Sequence, residues 1–285
     1  MQDSPILPQA HLTPTIRRLL KVSVLATSSA GNCTFVGTDR TRILIDAGLS
    51  RKETFERLRS IGEDPDALDA ILVTHEHSDH VSGLGVLSRY YLSEKGSKAK
   101  RSVPVYMTKL TAPLIEWAGA PPPLEHFQAG TGFTIGDLEI QSFTIPHDAL
   151  DPVGYTVRSQ GLKFGLAMDL GYMPESVKYH LSRCHMLVLE SNHDIEMLKV
   201  GPYPWSVKQR VMGRKGHLSN DVVSEYIAGN LDGESQTLLL GHLSEHNNHP
   251  EIVRLVATQA LEQRALPTRL VVADTKKNCE VFQLG

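Results

Sequence analysis

The run Thr74-His75-Glu76-His77-Ser78-Asp79-His80 constrains this chain more than any other segment. It follows directly on Ala70-Ile71-Leu72-Val73, an apolar run of the length expected for a buried strand. A strand ending there delivers His75 and His77 to one point. Asp79 and His80 follow on a turn that opens the helix beginning at Val81-Ser82-Gly83-Leu84. Neutral imidazole and carboxylate are the ligand types preferred by first-row divalent metals such as zinc or manganese. Four such groups, divided two and two, can seed a pair of metals close enough to share a bridging water.

Three further ligand types stand where apolar runs end. Residues 140–145 lead into Pro146-His147-Asp148, residues 162–168 into Asp169-Leu170-Gly171, and residues 238–240 into Gly241-His242-Leu243-Ser244. Adding His147, Asp169 and His242 to the cluster brings the expected metal ligands to His75, His77, Asp79, His80, His147, Asp169 and His242. That set is enough for two metals with Asp169 as the natural bridge. The chemistry it points to is a dinuclear hydrolase.

Composition narrows the setting. The 285 residues are 41% hydrophobic, enough for a full core in one large domain or two small ones. A net charge of −3 advertises no broad basic surface. Metals can nonetheless carry the local positive charge at a phosphate site. Cys33, Cys184 and Cys279 are odd in number and form no CxxC pair, which points to reduced thiols in a cytoplasmic protein. No apolar run is long enough to span a membrane. Residues 1–14 hold three prolines and no pattern of charge followed by apolar residues, so no export signal is expected.

Strand-like runs are expected at 21–26 and 42–46, on either side of the turn Ser28-Ser29-Ala30-Gly31-Asn32. Further strands are expected at 103–107, 133–145, 154–158, 162–168, 185–190, 237–240 and 269–273. Helices are expected at 51–61, 111–118, 220–227 and 251–265. There is no internal repeat and no linker long enough to divide the chain. The expectation is an α/β architecture of two packed sheets with helices outside. A short N-terminal arm over 1–19 would precede one domain over 20–285.

Asp46, the cluster from His75 to His80, His147, Asp169 and His242, taken in order, resemble the five landmarks of the metallo-β-lactamase fold superfamily. The resemblance runs from about Leu20 to the C-terminus. It implies the four-layer αββα sandwich. It assigns His75, His77 and His147 to one metal and Asp79, His80 and His242 to the other, with Asp169 bridging. Asp46, in Leu44-Ile45-Asp46-Ala47-Gly48, would be the buried carboxylate that orients a ligand through its other ring nitrogen. Finer motifs are similar to the YycJ/WalJ-like nuclease subfamily: Ser28-Ser29-Ala30-Gly31-Asn32, Asp46-Ala47-Gly48-Leu49-Ser50, Glu190-Ser191-Asn192-His193-Asp194, Gly216-His217-Leu218-Ser219-Asn220 and His242-Leu243-Ser244-Glu245-His246-Asn247-Asn248. Part of the pattern also resembles RNase Z, which implies that Glu190 and His217 lie beside the metals.

A metal-bridging hydroxide would then attack a phosphodiester, and His217 would protonate the leaving alkoxide. Glu190 would keep His217 charged. The expected catalytic set is His217, Glu190, Asp46 and Asp79. Ser28, Ser29 and Asn32 can offer donors to a phosphate. Asn192, His193, Asn220, Asn247 and Asn248 are expected as further donors at the rim, although Asn220 also stands where a helix cap is expected. Two basic sets are available for a backbone track: Lys95, Lys98, Lys100 and Arg101, and Lys208, Arg210, Arg214 and Lys215. The cofactor expected is a pair of divalent ions, zinc or manganese and then iron. The expected substrate is nucleic acid, DNA ahead of RNA, degraded exonucleolytically, with no membrane and no obligatory protein partner. A small cyclic phosphodiester, or a thiolester or lactam on the same fold, is the alternative.

Overall fold

A computed structural model describes residues 19–93, 102–117, 119–274 and 277–285. The first half runs β1 (Leu20–Ser28), β2 (Gly31–Gly37), β3 (Arg42–Ile45), α1 (Arg51–Ser60), β4 (Ala70–Leu72), α2 (Ser78–Val81), α3 (Leu84–Leu92), β5 (Val105–Thr108) and β6 (Leu124–Phe127). The second half opens with β7 (Gly132–Ile135), β8 (Leu138–Thr144), β9 (Val153–Ser159), β10 (Leu162–Ala167), α4 (Glu175–Leu181) and β11 (Met186–Glu190). It continues with α5 (Ile195–Val200), α6 (Trp205–Val211), α7 (Asn220–Gly229), β12 (Thr237–Gly241), α8 (Pro250–Gln263), β13 (Arg269–Val272) and β14 (Phe282–Leu284).

The strands form two seven-stranded sheets, ordered β14-β1-β2-β3-β4-β5-β6 and β13-β12-β11-β10-β9-β8-β7. Each begins with antiparallel hairpins and continues with parallel strands from β3 in the first sheet and β10 in the second. β14 leaves the second half to pair antiparallel with β1, Leu20 opposite Leu284.

Strand alternation builds the layers. In β3, Ile43 and Ile45 face the opposite sheet, while Leu44 faces the helices. In β11, Met186 and Val188 point to the middle, and Leu187 and Leu189 point outward. Burial on both faces is why these strands read as unbroken apolar runs. The first sheet packs outward on Phe55 and Leu58 of α1 and on Leu84, Leu87 and Tyr91 of α3. The second packs on Val177 and Leu181 of α4, Val223 and Ile227 of α7, and Val253 and Ala257 of α8. The result is the αββα sandwich.

Several local expectations need correction. Gly31 and Asn32 belong to β2 and not to a turn, because β1 reaches Ser28 and only Ser29-Ala30 connects the two strands. The helix expected at 111–118 is a 3-10 turn over Ala112–Leu114, kept short by Pro113, which lacks a backbone N–H; Ala118 lies outside the described residues. Ser219, not Asn220, caps α7 by accepting from Val222 N. Residues 1–18 and the set Lys95, Lys98, Lys100 and Arg101 also lie outside the described residues. Among the described residues, no helix is long and apolar enough to cross a membrane.

Candidate metal centre

The cluster is held from behind by the loop after β3. Asp46 takes the left-handed backbone conformation with φ 65°, turning its carboxylate under the end of β4. There it accepts from Thr74 N at 2.8 Å, from Thr74 Oγ1 at 3.0 and 2.9 Å, and from His80 Nδ1 at 2.8 Å. Thr74 Oγ1 lies 3.0 Å from His75 Nδ1. Ala47 N donates to His80 O at 2.8 Å. The next residue has to be glycine, since a Cβ on Gly48 would sit 1.7 Å from the Asp79 carbonyl oxygen. The Asp46-Ala47-Gly48 turn therefore grips the first turn of α2 and fixes which nitrogens of His75 and His80 face forward.

The remaining groups arrive from strand ends of the second sheet, at the same edge of the sandwich. His147 follows β8, Asp169 follows β10, Glu190 ends β11 and His242 follows β12. Asp169 and His242 share the left-handed backbone of Asp46, with φ 60° and 55°. Three strained positions at one edge mark where the fold sacrifices backbone comfort for side-chain placement, at roughly 1–3 kcal/mol each.

Two triads result. The ligand atoms of His75, His77 and His147 all lie within 4.8 Å of one another, and so do those of Asp79, His80 and His242. Asp169 lies between them. Its Oδ2 is 2.8 Å from His80 Nε2 and 3.8 Å from His75 Nε2, and its Oδ1 is 3.2 Å from His242 Nδ1. Asp79 Oδ2 is 3.4 Å from His80 Nε2 and 3.5 Å from His242 Nε2. His147 Nδ1 meets the Gly216 carbonyl at 3.3 Å, and its Nε2 faces His77 Nδ1 at 3.2 Å.

These residues fit divalent cations. His75 Nε2, Asp169 Oδ2 and both ring nitrogens of His242 are buried without a hydrogen-bond partner among the described residues. Buried polar atoms are almost always satisfied, so such atoms on three neighbouring candidate ligands suit a bound electrophile. Burial and then the His80 charge hold His75 well below the ordinary histidine range, in the neutral form that ligates. Burial also lowers His147. Burial opposes charge on His242, yet Asp169 prevails and the ring is raised to about 9. Asp169 itself is held well below the carboxylate range, with burial outweighed by His242 and His80.

His217 and Glu190 form a separate pair beside the triads. His217 Nδ1 lies 2.6 Å from Glu190 Oε1 and 3.3 Å from Asp169 Oδ1. Burial alone would discharge the ring, but the Glu190 carboxylate outweighs it and raises His217 to about 11. Asp169, Glu190, His217 and His242 also converge within 4.8 Å. The short Glu190–His217 bond occupies the facing atoms of that pair.

The structure places the expected rim donors elsewhere. Asn32 is buried and directs Nδ2 at Asp79 Oδ2 and His80 Nε2, 3.1 Å from each. Asn192 donates to His242 O, Ser191 Oγ to Asn220 Oδ1, Asn220 Nδ2 to Asn248 Oδ1, and Asn248 Nδ2 to Ser191 O. Asn247 is buried with its Nδ2 on Ser244 Oγ. His193 is 2% exposed, below the surface. Asn192, His193, Asn220, Asn247 and Asn248 therefore clamp the loops after β11 and β12 to the start of α7, and the expectation of a solvent-facing rim is corrected. Irregular loops buried together must satisfy their own backbone groups, and short amides do so. Ser29 is exposed at the hairpin tip, and Ser28 Oγ accepts from Ala30 N.

Asp148 was not expected in the site, and Arg210, expected as part of a backbone track, is paired to it there. Asp148 Oδ1 lies 3.4 Å from His147 Nε2, and its other oxygen receives Arg210 Nε. The adjacency of Asp148 to His147 was the only signal in the sequence.

Comparison with known proteins agrees with this geometry. A family model described as a beta-lactamase superfamily domain matches residues 41–232. The exodeoxyribonuclease YycJ of Bacillus anthracis is 38% identical over 248 residues, which cover 86% of this chain and 90% of that protein. The exodeoxyribonuclease WalJ of Streptococcus pneumoniae is 36% identical over 252 residues, with the same coverage of 86% and 90%. The crystal structure of the metallo-beta-lactamase fold protein YhfI from Bacillus subtilis superposes with a TM-score of 0.72 at 16% identity, covering 94% of this chain and 100% of that one, a likeness of fold. The Asp46-gripped histidine cluster, the strand-end ligands and these matches place the chain in the metallo-β-lactamase superfamily, in the family of the YycJ and WalJ exodeoxyribonucleases.

Proposed function

We propose that this protein is a dinuclear metal-dependent exodeoxyribonuclease of the 20–285 domain. The observation that carries the reading is the pair of candidate ligand triads with Asp169 between them, and His217 on Glu190 beside them. The relatives that span most of the chain are named exodeoxyribonucleases. In this reading His75, His77 and His147 would hold one cation and Asp79, His80 and His242 the other, with Asp169 available to both. Zinc or manganese, when bound, supplies an ionised water near neutral pH and charge that neutralises the phosphate oxygens.

The chain's own residues do the rest. Asp46 and Thr74 fix the His80 and His75 rings so that Nε2 faces the centre. Asn32 holds Asp79 in place. Glu190 keeps Nδ1 of His217 protonated, which leaves Nε2–H as the proton donated to the departing 3′ or 5′ oxygen. The hairpin tip, with Ser28 half-buried and Ser29 exposed, offers hydroxyl and backbone donors to a phosphate.

The test is cleavage of end-labelled single- and double-stranded DNA and of RNA, with manganese or zinc returned to chelated protein. Asp169→Ala and the small diester bis-p-nitrophenyl phosphate run alongside. Stepwise shortening of DNA, absent in Asp169→Ala, is the expected result. Hydrolysis of the small diester alone would move the substrate to a small phosphodiester, and turnover of a thiolester alone would refute phosphodiester chemistry.

A further inference from the structure

The segment from α5 to His217 carries five lysines and arginines, Lys199, Lys208, Arg210, Arg214 and Lys215, and no acidic residue after Glu196, in a chain whose net charge is −3. The fold lays this segment across the mouth of the site. At one end, the link between α5 and α6 rests on the loop after His242. There Tyr203 meets His246 edge-on at 6.1 Å, and a Cβ on Gly201 would sit 2.2 Å from Asn247 Oδ1. At the other end, Arg210 is anchored on Asp148 beside His147, and Val211 O accepts from His217 N. A Cβ on Gly171, two residues after Asp169, would lie 2.2 Å from the Arg214 backbone, so the turn at 214–215 is packed against the bridging residue's own loop.

Two features of this wall stand at its surface. Arg214 stacks on Tyr172 with its guanidinium 4.2 Å from the ring centroid, and neither it nor the exposed Lys215 has an ion-pair partner. Trp205, at the start of α6, is 62% exposed, with Val200 86% exposed nearby in sequence. Cations just beyond the end of α6 and an exposed indole at its start, one seven-residue helix apart, are the parts of a single-strand track, in which phosphates meet charge and a base stacks on an aromatic face. The centre itself reaches solvent mainly through the side chains of His77, His217 and Asp79, while His75, His80, Asp169 and His242 are 1–3% exposed. A recess of that kind admits a strand end more readily than the side of a duplex.

We infer that the α5–α6 wall binds the single-stranded end of DNA, with Arg214 and Lys215 on phosphates and Trp205 stacked on a base. The inference rests on the nuclease function proposed above and adds the form of the substrate and the surface that takes it.

The test titrates the metal-loaded full chain carrying Trp117→Phe, which leaves Trp205 as its only indole, with a phosphorothioate oligodeoxythymidylate that resists cleavage. Quenching of Trp205 emission is expected, with an affinity whose logarithm falls linearly with the logarithm of salt concentration. Arg214→Ala with Lys215→Ala should flatten that slope by about 1.4, from the ~0.7 per neutralised phosphate of a single strand. Arg214→Lys with Lys215→Arg should retain it. Trp205→Ala, followed by anisotropy of a labelled strand, should weaken binding roughly fivefold or more. No quenching and an unchanged slope in a protein that still degrades DNA would overturn this inference alone. Neither binding nor cleavage of any nucleic acid would overturn it together with the function beneath it. Trp205 emission that shifts with protein concentration, without oligonucleotide, would make the face a contact between copies and overturn it as well.

Discussion

His217 donates Nδ1–H to a buried carboxylate 2.6 Å away, and that one bond separates its task from that of the other imidazoles at the site. His75 is kept neutral by burial, whereas His217 is kept charged by Glu190 despite burial. Replacing it with alanine should cut turnover by about 10²–10⁴ while metal content, measured on the purified protein, stays at the parental level. Loss of metal in that variant would make His217 a ligand. His193 gives a prediction of another kind. Burial pushes its ring down to about 4 from an ordinary 6.5. The folded state therefore prefers the neutral ring, and its contribution is complete above about pH 6.5. The unfolded chain gains a proton as pH falls below that, so stability is lost between about 6.5 and about 4, by roughly 3 kcal/mol in all. Melting temperatures of the parent and of His193→Gln over that range should converge as the pH falls. Parallel curves would show that the ring is not held neutral.

Strand ends and the turns that follow them set the ligand directions. The Asp46-Ala47-Gly48 turn is the tightest of these, and Gly48→Ala should force the Asp79 carbonyl away. A cost of about 1–3 kcal/mol is expected for such overpacking, with metal lost first from the Asp79, His80 and His242 side. Metal analysis together with thermal unfolding checks both. Much of this was legible in advance, because a buried strand announces itself as an apolar run and the ligand is the first polar residue beyond it. The ends of β8, β10 and β12 obeyed that pattern, and β4 departed from it by one residue, with Thr74 before His75. α5 and α6 did not. Val200 and Trp205 face solvent, so these short helices show no one-sided apolar stripe to betray them. β14 was missed because three residues are too few to show alternation and its partner, β1, lies at the opposite end of the chain.

Candidate ligands from both halves of the sandwich meet at one edge, His75, His77, Asp79 and His80 from the first sheet's side and His147, Asp169 and His242 from the second's. Bound cations would tie the two halves together there. Removing them with a chelator should lower the melting temperature by about 10 °C, since a ligand at about a thousand times its Kd contributes ~4 kcal/mol and each kcal/mol moves a chain of this size by a few degrees. Asp169→Ala should show little further change on chelation, and an equal drop in both proteins would deny Asp169 its bridging place. The apolar runs and the polar residues that end them were sufficient to point to two sheets and to seven candidate ligand positions, because alternation and strand termination are local properties of the chain. Tertiary structure alone decided which polar residues face the centre. Asn220 and Asn248 resemble rim donors in sequence, yet both amides close on each other beneath the surface. Arg210 stands far from Asp148 in the chain, yet the two meet beside His147. Such pairings depend on which loops the sandwich brings together, and a side chain's partners across that distance leave no periodic trace in sequence.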